Sequence, residues 1–148
     1  MYRIVVGLDG SQKDRPLVHW TAEFADHVGA QVIVAHFVPR ATVWMVAGAQ
    51  LDSAQYIEEL RDYFEREIID PLRARDPLLH MHIQVGDPAH ELAALARRSA
   101  ADLIALGTRD HGILHDVVFG NVERNLRHRS DVPVVTVPYR TPNLHLVQ

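Results

Sequence analysis

Asp102-Leu-Ile-Ala-Leu-Gly107-Thr-Arg-Asp110-His-Gly-Ile-Leu-His-Asp-Val-Val-Phe-Gly120-Asn121 is the stretch that decides how this 148-residue chain folds. Its apolar run, Leu103 to Leu106, has the composition of a parallel strand buried on both faces. Gly107 then opens a loop that Gly120 closes, and Val122 and Leu126 follow at helical spacing. A strand that empties through a glycine-bearing loop into a helix turns backbone N–H groups and the positive end of the helix dipole toward one point. Such a point attracts anions. Asp110 sets an acid inside that same loop.

Outward from this stretch, β-rich runs alternate with helical patterns. Strands are expected at Arg3–Leu8, Gln31–Phe37, His80–Val85, Leu103–Leu106 and Val132–Val137. Between the first two, Lys13–Val28 is expected as a helix, with Pro16 in its first turn, Gly29 as its stop, and Leu17, Thr21, Phe24 and Val28 along its inner face. A second helix carries Ile57, Leu60, Phe64 and Ile68, with Ser53 as cap and Pro71 near its end. Gly86-Asp87-Pro88 turns into a third, with Leu92, Leu95 and Ala96 inward, and Gly120–Arg129 is the fourth. Val38–Asp52 is unusually apolar for a connection and is assigned neither strand nor helix.

This alternation predicts an α/β fold: a doubly wound, Rossmann-like, five-stranded parallel sheet in the order 3-2-1-4-5, flanked by about four helices. Ligands in such sheets sit at the carboxyl ends of the strands where the winding reverses. Here that is between strands one and four, which sets Gly7-Leu8-Asp9 beside Gly107-Thr108-Arg109. A single domain over 1–138 with a C-terminal tail, 139–148, is expected.

Hydrophobic residues form 47% of the chain, enough for a genuine core, and the formal net charge is −4. That balance offers no general attraction for nucleic acid or an anionic membrane, so neither is expected as a partner. The local basic group Arg124, Arg127, His128 and Arg129 reads as a solvated helix end. Absence of cysteine excludes disulfides, thiol catalysis and cysteine zinc sites. No apolar run is long enough to span a bilayer, and the chain enters its first strand directly, so a cytoplasmic location is expected.

The chain resembles the universal stress protein family over almost its whole length. The resemblance rests on Ile4-Val-Val-Gly-Leu-Asp9-Gly-Ser11, Val34-Ala-His-Phe37, Val85-Gly-Asp-Pro88, Asp102-Leu-Ile-Ala-Leu-Gly107-Thr-Arg and Val132-Pro-Val-Val-Thr-Val137, five pieces in order. Nucleotide-binding members carry G-x2-G-x9-G-[ST] after the fourth strand. Gly107 and Gly120 match its first and third glycines, whereas Asp110 and Asn121 replace the second glycine and the final Ser/Thr. The resemblance implies binding of ATP or another adenine nucleotide, with Mg²⁺ able to bridge Asp110 to phosphate. It implies that Asp9 meets the ribose or adenine side and that Phe37 offers its backbone to adenine. Leu106, Gly107, Gly120, Asn121 and Val122 would line the phosphate and ribose path. A homodimer joined through strand Val132–Val137 is also implied, acting as a stress-response or signalling module. A degenerate member that binds no nucleotide, and works through its dimer and lid surfaces, is the competing reading.

Individual residues carry plainer roles as well. Asp9 suits a turn or helix cap as much as a ligand contact. Ser11 reads as a cap rather than a nucleophile, and His36 as a satisfied core histidine. Arg109 either holds phosphate or pairs with Asp110. Trp44, Met45 and Val46 form either a lid or a dimer surface. His111, His115 and Asp116 lack the glutamate of a zinc signature, and His80 and His82 alternate on a strand. No activated nucleophile or paired-carboxylate site is evident, so slow ATP hydrolysis is the most chemistry expected. A phosphate-transfer receiver is rejected because strand three ends in Val85-Gly86 and no lysine follows strand five; G-x4-G-K-[ST] is absent too.

Glycine at the second motif position would reach positive φ freely and bring no charge, whereas Asp110 does neither. Asp110→Gly is therefore expected to tighten ATP binding by roughly 1–3 kcal/mol. Titration calorimetry checks this, and unchanged or weaker affinity would refute the phosphate position assumed for residue 110.

Overall fold

A computed structural model describes residues 1–79, 81–109 and 120–139. Asp110, His111, His115, Asp116, His80 and the tail from 140 to 148 lie outside the described residues. Five parallel strands form one sheet in the order β3-β2-β1-β4-β5, as the alternation predicts. The strands are β1 (Tyr2–Leu8), β2 (Ala30–Val38), β3 (Met81–Val85), β4 (Leu103–Arg109) and β5 (Val134–Tyr139). Among the described residues the helices are α1 (Asp14–Val28), α2 (Arg40–Gly48), α3 (Ser53–Phe64), α4 (Pro88–Arg98) and α5 (Gly120–Arg129).

The period-2 geometry of β1 feeds two cores. Ile4, Val6 and Leu8 join Leu17, Phe64 and Ile68 on one face, and Val5 joins Phe37, Leu92, Ile104 and Leu126 on the other. Strand β1 pairs with β2 on one side and β4 on the other, so the winding reverses there.

The helix ends follow local capping chemistry. Asp87 accepts from the His90 N–H at 3.0 Å and Pro88 takes the first turn of α4, where a missing N–H costs nothing. Gly29, at φ 70°, ends α1 in the left-handed conformation and returns its N–H to the Ala25 carbonyl.

Several boundaries differ from expectation. Asp52, not Ser53, caps α3, accepting from the N–H groups of Ala54 and Gln55 at 2.9 and 3.3 Å. The helix then passes through a wide turn, Glu65–Ile69, and a tight one, Asp70–Leu72, which absorbs Pro71. The buried face of α1 is Leu17, Val18, Thr21 and Ala25; Phe24 and Val28 stay outside. Small Ala25 lets the helix approach the sheet, while Phe24 stacks on Trp20 at the outer surface with ring centroids 5.2 Å apart. The unassigned stretch after β2 is the helix α2.

Strand β4 does not end at Leu106. It continues through Gly107 to Arg109, because Gly107, Thr108 and Arg109 register against Val137, Pro138 and Tyr139. Strand β5 is shifted two residues beyond the expected Val132–Val137, since Ser130 ties Val132 into a turn: its hydroxyl accepts from the Val132 N–H and donates to the Val132 carbonyl, both at 2.9 Å.

Gly7 shows how tightly the sheet and α4 meet. A Cβ there would stand 2.8 Å from Leu92 Cδ1 and 2.9 Å from Leu106 Cδ2, both buried side chains. Gly7→Ala is expected to cost about 1–3 kcal/mol by overpacking. Urea denaturation would read this as a lower midpoint, and an unchanged midpoint would mean that the contact yields freely.

Candidate functional site

A crevice of about 260 Å³ opens at the carboxyl ends of β1 and β4, where doubly wound sheets hold ligands. Of the residues expected there, Gly7, Leu8, Asp9, Phe37, Leu106, Gly107 and Val122 line it. Arg109 ends β4, and Gly120 and Asn121 begin α5, with Asn121 inside the first helical turn rather than before it. Thr42 of α2 and Tyr56 and Leu60 of α3 close one side, and Pro88 and Leu92 of α4 the other. Helix α2 reaches the crevice through Thr42; Trp44, Met45 and Val46, read as lid or dimer surface, are not among the residues that line it, and Trp44 and Met45 are 73% exposed.

The polar end of the crevice is the turn after β1. Asp9 Oδ1 accepts from the Ser11 N–H at 2.8 Å, and its Oδ2 meets Lys13 Nζ at 2.9 Å. Asp14, at the start of α1, accepts from the N–H groups of Asp9 and Gly10 at 3.1 and 2.8 Å. Gly10 holds φ 84°, a conformation glycine adopts without strain. The cap expected of Ser11 is not found: Lys13 occupies the cap position of α1, and no side chain caps the helix there. Ser11 Oγ accepts from the Lys13 N–H at 3.3 Å and its carbonyl from the Asp14 N–H at 3.2 Å, whereas Asp14 secures the loop itself.

Sequence reasoning missed Lys13 and Asp14. The signal available was spacing: Lys13 stands four residues after Asp9, one helical turn away. Burial of a lysine so near a helix start requires a partner, and Asp9 supplies it. The Lys13 stem also runs beneath Gly107, 3.5 Å from where a Cβ would sit.

Two carboxyls this close do not ionise alike. Burial pushes Asp9 up, but the Ser11 hydrogen bonds and the Lys13 ammonium outweigh it and hold Asp9 below the usual carboxylate value. Asp14 is pushed up to about 8 by burial and by the Asp9 charge, against its two backbone N–H bonds. Near neutrality Asp9 carries the charge and Asp14 the proton.

His36 lies buried beneath the crevice. Its Nδ1 donates to the Leu8 carbonyl at 2.8 Å, since a carbonyl can only accept, and its ring lies 4.9 Å from that of Phe64. Burial pushes the imidazole down, outweighing the Leu8 carbonyl and Asp9, which act the other way. The core reading of His36 agrees with this geometry, and the ring still forms part of the crevice wall.

Because the Asp14 pKa is higher in the folded chain than in the unfolded one, the folded state retains a proton that the unfolded state releases between the ordinary carboxylate value and about 8. Stability contributed by Asp14 thus falls as pH rises through that window. His36 has the opposite sign, its contribution falling as pH drops below the ordinary imidazole value of ~6.5. Between pH 6.5 and 8, urea denaturation is expected to lose stability at up to about 1.4 kcal/mol per pH unit, and Asp14→Asn to flatten that slope. An equal slope in both proteins would place the proton elsewhere.

Comparison with known proteins gives the same picture. Residues 1–138 match the family model of the universal stress protein family. The chain is 26% identical over 160 residues to the stress response protein NhaX of Bacillus subtilis (strain 168), covering 91% of this chain and 96% of that protein. A crystal structure of a universal stress protein in complex with cAMP superposes with a TM-score of 0.64 at 24% identity, covering 94% and 98% of the two chains. A universal stress protein from Archaeoglobus fulgidus in complex with dAMP gives a TM-score of 0.62 at 20% identity, over 92% and 97%. At those identities the two structures speak for the fold. With the family model spanning the sheet and every helix described, this chain belongs to the universal stress protein family.

Proposed function

We propose that the crevice binds an adenine nucleotide and that the protein acts as a dimeric stress-response or signalling module in the cytoplasm. The carrying observation is the convergence, at the winding reversal, of the β1 turn, the end of β4 and the first turn of α5 on one largely apolar cleft. A flat aromatic base suits the walls made by Tyr56, Leu60 and Leu92, and ribose hydroxyls suit Asp9, which keeps lone pairs beyond those used by Ser11 and Lys13. The glycine backbone at 107 and the α5 terminus supply the anion-facing end, joined in this reading by Arg109, Gly120 and Asn121. Two relatives of this fold were crystallised with cAMP and dAMP, which favours adenine over other bases.

Dimerisation through β5 is supported by its place at the sheet edge, where unpaired backbone groups invite a second strand. The ligand-binding unit is taken as 1–138, with 139–148 as a tail. Mg²⁺ would arrive with the nucleotide rather than on a site of its own. A second reading, an interaction module that takes no nucleotide, is favoured by Trp44 and Met45 on the outer face of α2.

Thermal denaturation against adenosine, AMP, ADP, ATP and GTP tests the first reading. Adenine compounds are expected to raise Tm in proportion to occupancy and GTP to leave it unchanged. Light scattering of the same sample should give the mass of two chains. No shift with any adenine compound favours the interaction module, and the mass of one chain removes the dimer.

A further inference from the structure

His36 is 7% exposed, yet one of its two ring nitrogens is unused among the described residues. Nδ1 donates to the Leu8 carbonyl at 2.8 Å, which fixes the proton of the neutral ring on that nitrogen. Nε2 is then a bare acceptor, and no described residue gives it a hydrogen bond. Burial favours the neutral ring by penalising the charged imidazolium. Side-chain nitrogens and oxygens sealed from solvent are all hydrogen-bonded among the described residues, so Nε2 is not sealed. The opening beside it is the crevice, whose wall the ring forms, while Phe64 packs against the ring with centroids 4.9 Å apart. Its polar neighbours are already engaged. Asp9 is bonded to Ser11 and Lys13, and Asp14 to the N–H groups of Asp9 and Gly10.

We infer that His36 is a ligand-selecting residue of the crevice: Nε2 accepts a hydrogen bond from an uncharged donor of the bound nucleoside, the exocyclic amine of the base or a ribose hydroxyl. The inference rests on the adenine reading above and names one contact within that site. A ligand that fills the crevice takes water away from Nε2, so a donor has to replace it. A ligand without one leaves a desolvated lone pair, and a carbonyl at the same place sets two acceptors face to face. The ring cannot exchange tautomers to suit such a ligand, because that would give up the bond to Leu8. His36 takes no part in chemistry here; it reads a donor.

The test is calorimetric titration with AMP, with purine riboside monophosphate, which lacks the exocyclic amine, and with the 2′-deoxy and 3′-deoxy forms of AMP. Each is titrated into the native protein and into His36→Asn. Asparagine carries an amide nitrogen near the place of Nδ1, so the Leu8 bond is kept and the atom at the Nε2 position is lost. One analogue is expected to bind the native protein about tenfold more weakly than AMP, and His36→Asn to abolish that difference. The analogue that responds identifies the donor. The ratio is the readout, because a merely structural His36 would move all the affinities together. Imidazole nitrogen NMR of the native protein gives a second readout that needs no variant. AMP is expected to move the Nε2 resonance, and the weakened analogue to leave it in place. Equal affinities on the native protein overturn the inference. So does a difference that survives in His36→Asn, or an Nε2 resonance indifferent to AMP. None of these touches the adenine reading. Failure of AMP and every analogue to bind overturns that reading and takes the inference with it.

Discussion

Strand β1 must be hydrogen-bonded on both edges and packed on both faces, and the rest of the molecule follows from how seven residues meet that demand. Val5 and Val6 are fully buried on opposite faces, and the backbone pairs with β2 through Tyr2–Leu8 and with β4 through Ile4–Gly7. A strand so enclosed can expose only its end. Gly7 removes the side chain where Leu92 and Leu106 press closest, so α4 and β4 can both reach the same point. The chain then has to turn away immediately, and the crevice is the space left by that turn. Site and core are therefore one packing solution, with the Gly7 contact common to both.

The turn is held by electrostatics arranged in series. Asp14 fixes the N–H groups of Asp9 and Gly10, Asp9 fixes that of Ser11, and Lys13 balances Asp9. Each group in this run is expensive to bury alone and satisfied in company. Placing the proton on Asp14 leaves one net carboxylate facing one ammonium, so the pocket end of β1 stays near neutral despite two acids. The hydrogen bonds fasten the loop, and the near-neutral balance keeps its side chains from acting as an anion trap. In the proposed function, attraction for phosphate rests on backbone N–H groups and the α5 dipole.

Much of this was legible in the residues. Apolar β-branched runs separated by helical periods gave the strand order and the reversal point, and seven of the ten expected site residues line the crevice. The misplacements have physical causes. Glycine punctuates chains, so the residue at 107 reads as a loop opening, yet ladder pairing with Val137 keeps it extended. The α1 stripe holds at Leu17 and Thr21 and fails at Phe24 and Val28, because contact with the sheet selects Val18 and Ala25, which permit close approach. Helix α2 was obscured because it is apolar nearly all round, with no polar face to give it a period. Lys13 and Asp14 were hidden for a different reason: charged residues near a helix start are ordinarily solvated, and only the fold determines that these two are not.

The geometry shows Asp9 as loop fastener and leaves room for the ligand contact proposed for it. A carboxylate offers about four lone-pair positions, and Ser11 and Lys13 occupy two of them. Those bonds restrict the rotation of the side chain, so a hydroxyl arriving in the crevice meets an acceptor already oriented. The ordering that a ligand would otherwise have to impose is already present in the folded chain. The same logic applies to His36, whose ring orientation is set by the Leu8 carbonyl and the face of Phe64 before any ligand arrives. Residues that hold β1 to β2 are thus the residues that shape the floor of the cleft. A substitution there changes the fold's local rigidity and the shape of the cleft together.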